Sequence, residues 1–256
     1  MTMVKSNFLS SRKLTDDTIA LAIDYKSVDA QDVYGFYLTN KTVKSVHSQL
    51  PEIGSFVNEY PDFLALDTEP HLFHKTPNTG ICWFIRDSKF DVIDGLYNAI
   101  IYKNTDLLKH YKQRYQGIKF FIPLDYSTYG DFDFEVTYHN IKRSIITYLW
   151  FTFECGAIAF PLMSYSDEES LRWCFEHIMI GSNVAVSLKG VMRGAERELF
   201  LKALKVLVDT RHPKALVVYS VAQAESTNLM LKYAIDNHVN IHIINNTLQE
   251  RNLRGK

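Results

Sequence analysis

The chain has 256 residues, 46% of them hydrophobic, with 28 basic and 29 acidic side chains and a formal net charge of -1. That apolar content excludes a disordered chain and is enough for a large core, as one α/β domain or as a compact domain with a smaller N-terminal element. The near-neutral balance gives no global pull toward phosphates, so nucleic acid is not favoured as a partner without a local basic patch.

Residues 1–60 show only modest periodicity and read as an N-terminal extension or small subdomain ahead of an α/β core over 61–256. Within them IALAIDY (19–25) and VYGFYL (33–38) are predicted as strands. The opening MTMVKSNFLSSRKL lacks the apolar stretch of a secretory signal. Three widely spaced cysteines, Cys82, Cys155 and Cys174, sit in apolar surroundings that suit reduced thiols. A cytoplasmic protein is expected.

From residue 81 onward short apolar runs alternate with helical patterns. ICWFI at 81, IKFFIPL at 118, AIAFPL at 157, NVAVSL at 183, ALVVY at 215 and NIHII at 240 read as six strands, and FLALD (63–67) or VYGFYL would supply more. Between them, helical spacing runs through FDVIDGLYNAI and DLLKHYKQRY, then 138–154, DEESLRWCFEHIMI, ERELFLKALKVLVDT and ESTNLMLKYAIDNH. SDEES places Ser and Asp at cap positions and acids in the first turn of the third-connection helix. The run SIITYLWFTFECGAIAFPL (144–162) is long enough to span a bilayer, but Glu154, Gly156 and Pro161 interrupt it, and it reads instead as a buried helix end leading into a strand. No membrane partner is expected.

Strands this apolar at every position are covered on both faces, and strand–helix–strand repeats of this length imply parallel pairing with right-handed crossovers. The predicted fold is therefore α/β with parallel βα repeats, either barrel-like and incomplete or an open doubly wound sheet.

In both architectures the side chains beyond the carboxyl ends of the strands converge on one face. That rule selects Arg86 and Asp87, Asp125 and Ser127, Ser164 and Asp167, Lys189, Ser220 and Gln223, and Asn245 and Asn246. Asp87 and Asp125 leave consecutive strands, so they are candidates to share a proton or a divalent cation as a catalytic pair. The competing reading is that Asp and Ser after a strand cap the next helix or bond loop amides, and it applies equally to Ser127 and Tyr129. Arg143, three residues after Asn140, suits a clamp on phosphate or carboxylate, or an ion pair with a strand-end aspartate. Lys189 in SLKG can bring an ammonium to an anion, although GVMRG lacks the pattern of a P-loop. His71, His74 and Cys82 do not have zinc-site spacing, and no metal or cofactor is assigned.

PLDYSTY, followed by Asn140 and Arg143 in NIKRS, then ECG and AIAFPL, resembles the family called domain of unknown function four-four-one-seven, found in bacteria, plasmids and phages. The resemblance begins at WFIRDSKF and continues through NVAVSLKG and ALVVYS. This chain departs from the family at Ser187 and Ser220, where glycine is usual, and at 164–166, where a tryptophan follows the strand. The resemblance implies a bacterial or mobile-element protein and draws interest to Asp87, Asp125, Ser127, Asn140 and Arg143 without assigning them roles. Two functions follow as expectations. One is a site for a small polar or phosphorylated, anionic ligand, with Asp125 as base, Asp87 its partner, Arg143 the clamp, and Ser127, Tyr129, Asn140, Lys189 and Ser220 as binding groups. The other is a non-catalytic plasmid or phage accessory protein that engages a host or phage protein, or nucleic acid, through the aromatic surface near Tyr126, Tyr129, Phe132 and Phe134.

Overall fold

The structure, a computed structural model, describes residues 35–254. IALAIDY lies outside the described residues.

Seven strands form a single parallel sheet: β1 (Phe63–Leu66), β2 (Thr79–Cys82), β3 (Phe120–Phe121), β4 (Ile158–Ala159), β5 (Val184–Ser187), β6 (Ala215–Tyr219) and β7 (Asn240–Asn246). Their spatial order is β4-β3-β2-β1-β7-β6-β5, which is chain order wound round a curl. The two edges meet just past β4, where Ala185 N–H donates to the Pro161 carbonyl (2.7 Å) and Met163 N–H to the Ala185 carbonyl (3.0 Å). The FLALD strand therefore belongs to the sheet, and the architecture is barrel-like rather than doubly wound.

Period-two alternation explains the curl. Leu64, Leu66, Cys82, Phe84, Phe120, Ile122, Phe160, Leu162, Ala185, Val217, Tyr219 and Ile244 face inward and form one cluster with contributions from all seven strand segments. Their neighbours Phe63, Ala65, Ile81, Trp83, Phe121, Val186 and Val218 face outward into the helix layer. A flat sheet would keep the end-strand residues Phe160 and Ala185 far apart, whereas here both lie in the same interior.

The helices are α1 (Phe36–Thr39), α2 (Leu96–Ile101), α3 (Thr105–Arg114), α4 (Phe134–Cys155), α5 (Gly194–Arg211), α6 (Ala224–Met230), α7 (Lys232–Asp236) and α8 (Thr247–Arg254). Asn104 caps α3 by accepting from Leu107 N–H at 3.1 Å. The longest helix, α4, lays Phe151 flat on Phe121 (4.2 Å) and against Trp83 (5.4 Å). It ends at Gly156 in the left-handed conformation (φ 64°), with Ala157 N–H returned to the Phe151 carbonyl. Thus the long apolar run 144–162 is a buried helix end followed by a strand, and no helix among the described residues is long and apolar enough to cross a membrane.

Three predicted elements differ. The helix expected through FDVIDGLYNAI forms only from Leu96, as α2, after a turn at 91–95. VYGFYL forms the helix α1 over its last residues, entered through Gly35 at φ 58° and packed with Leu38 buried against the core. DEESLRWCFEHIMI contains only a 3-10 turn, Ser170–Arg172. The caps do form there, since Asp167 Oδ1 accepts from Ser170 N–H (2.7 Å) and Ser170 Oγ accepts from Ser166 and Asp167 N–H, but these local bonds compete with helix propagation. Tertiary pairing then extends the chain further on: Ile53 N–H donates to the His177 carbonyl (2.8 Å) and Met179 N–H to the Ile53 carbonyl (2.9 Å). Residues from the N-terminal region are bound to the core in the same way, with Tyr138 and Tyr148 hydroxyls donating to the carbonyls of Ser48 (2.9 Å) and Gly54 (2.7 Å).

The loop between β2 and α2 turns tightly at Gly95, where a Cβ would lie 2.4 Å from the Phe90 carbonyl oxygen and 2.9 Å from that of Val92. A Cβ at Gly156 would meet nothing within 4 Å, although its positive φ disfavours a side chain. Gly95→Ala should therefore cost about 2 kcal/mol by displacing backbone, against about 1 kcal/mol for Gly156→Ala. Urea denaturation of the two variants measures the difference.

Candidate functional site

The mouth at the carboxyl ends of the strands gathers the polar side chains. The chain leaving β2 delivers Asp87 and the chain leaving β3 delivers Asp125 and Ser127, from strands that are neighbours in the sheet. Asp87 does not serve as a cap. Its carboxylate crosses to the next loop, where Oδ2 accepts from Ser127 N–H (3.0 Å) and Oδ1 from Ser127 Oγ (2.8 Å). The Ser127 carbonyl in turn accepts from Asn140 Nδ2 (2.8 Å), and the Asn140 side-chain oxygen from Arg143 (3.4 Å). Arg143 also pairs with Asp91 and lies 3.7 Å over the Tyr126 ring and 4.7 Å over Tyr97. Four of the sequence-selected residues thus form one continuous network, Asp87–Ser127–Asn140–Arg143, that joins two loops to the first turns of α4.

Asp125 is different in kind. Its carboxylate accepts no hydrogen bond from any described residue. Burial, chiefly, and the nearby Asp87 charge push it up to about 7, while the Lys189 ammonium pulls in the opposite direction. Lys189 follows β5, and its ammonium reaches over to the Phe84 carbonyl beyond β2 (2.7 Å). Since β5 and β2 lie on different sides of the curl, Lys189 spans the mouth.

Beneath it lie residues that the strand-end rule missed because they belong to the strands themselves. The Cys82 thiol is fully buried, held protonated by desolvation, and feels Glu69, Asp125 and Lys189. The Tyr219 hydroxyl is buried with no hydrogen-bond partner among the described residues, and burial, chiefly, with the nearby Glu69 charge holds its proton on. Glu69 accepts from Leu66 N–H (3.2 Å) and from the Thr247 hydroxyl (3.3 Å). The mouth therefore has a floor of thiol and phenol and a rim of two carboxylates and an ammonium. The signal in the sequence was period-two alternation carried one step further, to the last inward residue of β2 and β6.

Other candidates lie elsewhere. Ser220 is wholly buried, its hydroxyl shared with Thr227 (2.7 Å) and accepting from Ala222 N–H (3.2 Å), and its carbonyl accepts from the buried Asn246 (2.8 Å). These bonds satisfy a turn. Asp167 caps the 3-10 turn, Gln223 precedes α6 without a side-chain cap, Ser164 is buried, and Arg86 and Asn245 are exposed. Tyr129 is exposed and packs edge-on against Phe132 (5.1 Å). Tyr126, expected on the aromatic surface, is instead in the core under Arg143, because the alternation of the β3 exit turns it inward against Phe90 (5.2 Å). Among the described residues no three His, Cys, Asp or Glu side chains group to hold a metal ion.

A chain-ordered parallel α/β curl with Asp87, Asp125 and Lys189 at its carboxyl-end mouth defines a barrel-like α/β protein. More particularly, the chain belongs to the family described as domain of unknown function DUF4417, whose match covers residues 44–236. That span holds the whole Asp87–Ser127–Asn140–Arg143 network, Asp125 and Lys189. No curated protein and no solved structure matches the chain.

Proposed function

We propose that the mouth of the curl binds a small polar or phosphorylated molecule and exchanges a proton with it through Asp125. The observation that carries this reading is a carboxyl group at the mouth, without a hydrogen-bond donor among the described residues, whose proton leaves near neutrality. A general acid or base works best at that point on the pH scale. Lys189 supplies positive charge for an anionic group, and Asp87 raises the affinity of Asp125 for its proton. Ser127, Asn140 and Arg143 hold Asp87 and the β3 exit loop in place, so Arg143 acts as a positioning residue here. A bacterial or mobile-element setting in the cytoplasm accords with the family resemblance and with three free cysteines.

Thermal shift against a panel of small phosphorylated and polyhydroxylated metabolites tests the proposal. At least one compound should raise the midpoint, and the rise should disappear in both Asp125→Ala and Lys189→Ala. A silent panel, or a rise that persists in both variants, would end this reading.

A further inference from the structure

A second cleft, lined by none of Asp87, Asp125, Ser127, Asn140, Arg143 and Lys189, lies where the start of α4 meets the 3-10 turn Ser170–Arg172. It encloses about 390 Å³. Phe132, Phe134 and Trp173 provide its apolar lining, and Phe134 and Trp173 meet at 65° with their ring centres 5.0 Å apart, backed by Tyr138 at 5.7 and 5.9 Å. Asp133, Asp167 and Glu169 line it against a single Arg172, three negative charges to one positive. Neighbouring Glu168 is held by Lys202 (2.5 Å), whereas Asp133 and Glu169 have no ion-pair partner among the described residues. Asp133 sits at the N-cap of α4 without making a side-chain cap bond. Thr137, also lining the cleft, is 1% exposed and its hydroxyl has no hydrogen-bond partner among the described residues.

We infer that this cleft receives an arginine side chain from a partner protein. Aromatic faces attract cations through their quadrupoles, and a planar guanidinium stacks on them better than an ammonium does. Unpaired carboxylates at the entrance select positive charge, and a buried, unpartnered hydroxyl accepts a donor that apolar ligands lack. The surroundings point to a protein as the source. Tyr129 and Phe132 extend the aromatic surface beyond the cleft, both exposed, in a stretch that also carries Asp131 and Glu135. Exposed aromatics of this density are typical of the centre of protein interfaces and are more than one small cation would need.

Trp83 and Trp150 are fully buried, so the Trp173 indole signal reports on this cleft alone among the three tryptophans. The full chain is titrated with a short acetylated, amidated peptide bearing one arginine, and the indole resonances are followed by NMR. Saturable movement of the Trp173 signal is expected, with affinity at least tenfold weaker in the Asp133→Asn, Glu169→Gln double variant and in Phe134→Ala. Asparagine caps helices as well as aspartate, so α4 is not undermined in the double variant. The Asp125→Asn variant should bind the peptide as the parent does, which separates this cleft from the mouth. Equal response to a citrulline peptide, tighter binding of free arginine than of the peptide, unaltered affinity in the double variant, or no movement of the Trp173 signal would each overturn the inference.

Discussion

Asp125→Asn should make the protein more stable at pH 8, by about 3 kcal/mol, and leave its stability at pH 4 nearly unchanged. The sign follows from linkage. In the unfolded chain this carboxyl ionises from about pH 3.9 upward, whereas in the folded protein it keeps its proton until about 7. Between those values the folded state binds the extra proton, so stability falls as pH rises through the window, and the loss is complete above it. Three units correspond to about 4 kcal/mol, and partial access of the side chain to water reduces that to about 3. Asparagine stands in for the neutral acid and never ionises. For a domain of this size the gain corresponds to a midpoint raised by about 8 °C at pH 8. Calorimetry of parent and variant from pH 4 to 8 measures it, and equal midpoints at every pH would mean that the carboxylate is comfortably solvated.

His177 produces the opposite slope within the same pH window, so the two contributions partly offset each other. It is buried beside Arg211, and desolvation lowers its affinity for a proton to about 4. The unfolded chain takes up this proton below about 6.5, so acid removes stability between 6.5 and 4, by up to about 3 kcal/mol. His177→Gln should remove this acid loss in the same calorimetric series and leave the fall that Asp125 causes between about pH 4 and 7 standing alone, so that the variant loses stability with rising pH more steeply than the parent.

The sheet was legible because apolar runs with two covered faces carry a strong pattern, and FLALD to NIHII each became a strand. What decided between open sheet and curl was the pairing of Ala185 with Pro161 and Met163, a contact between distant residues that periodicity does not encode. The helix expected in DEESLRWCFEHIMI shows the limit from the other direction. Its caps and its spacing were real, but Ile53 claims Ile178 as a strand partner, and the local signal yields. The strand-exit rule selected Asp87, Asp125, Ser127 and Lys189 without any motif, and the fold gathers them at the carboxyl ends of the strands. It also selected Ser220 and Asp167, because the same residue types satisfy turns, and only the hydrogen-bond partners separate the two uses. Arg143 was legible as a residue that finds a carboxylate, but its partner Asp91 lies in a loop whose path depends on Gly95.

Asp87→Ala is expected to destabilise the protein by about 3 kcal/mol at pH 5 and by distinctly less at pH 8. At the lower pH Asp125 is neutral, so removal of Asp87 simply strands the Ser127 amide and hydroxyl that it accepts from, and bonds to a charged acceptor are among the stronger ones. At the higher pH the same change also relieves Asp125 of a neighbouring negative charge, and part of the loss is returned. The two variants should therefore couple: in the Asp125→Asn background the pH dependence of the Asp87→Ala loss disappears, because no second charge remains to be relieved. Carboxyl-carbon NMR of Asp125 in the Asp87→Ala protein should show its titration moving down from about 7. Strictly additive losses at every pH, with the Asp125 titration unmoved, would mean that the two carboxylates are electrostatically independent, and the acid pair at the mouth would reduce to two unrelated aspartates.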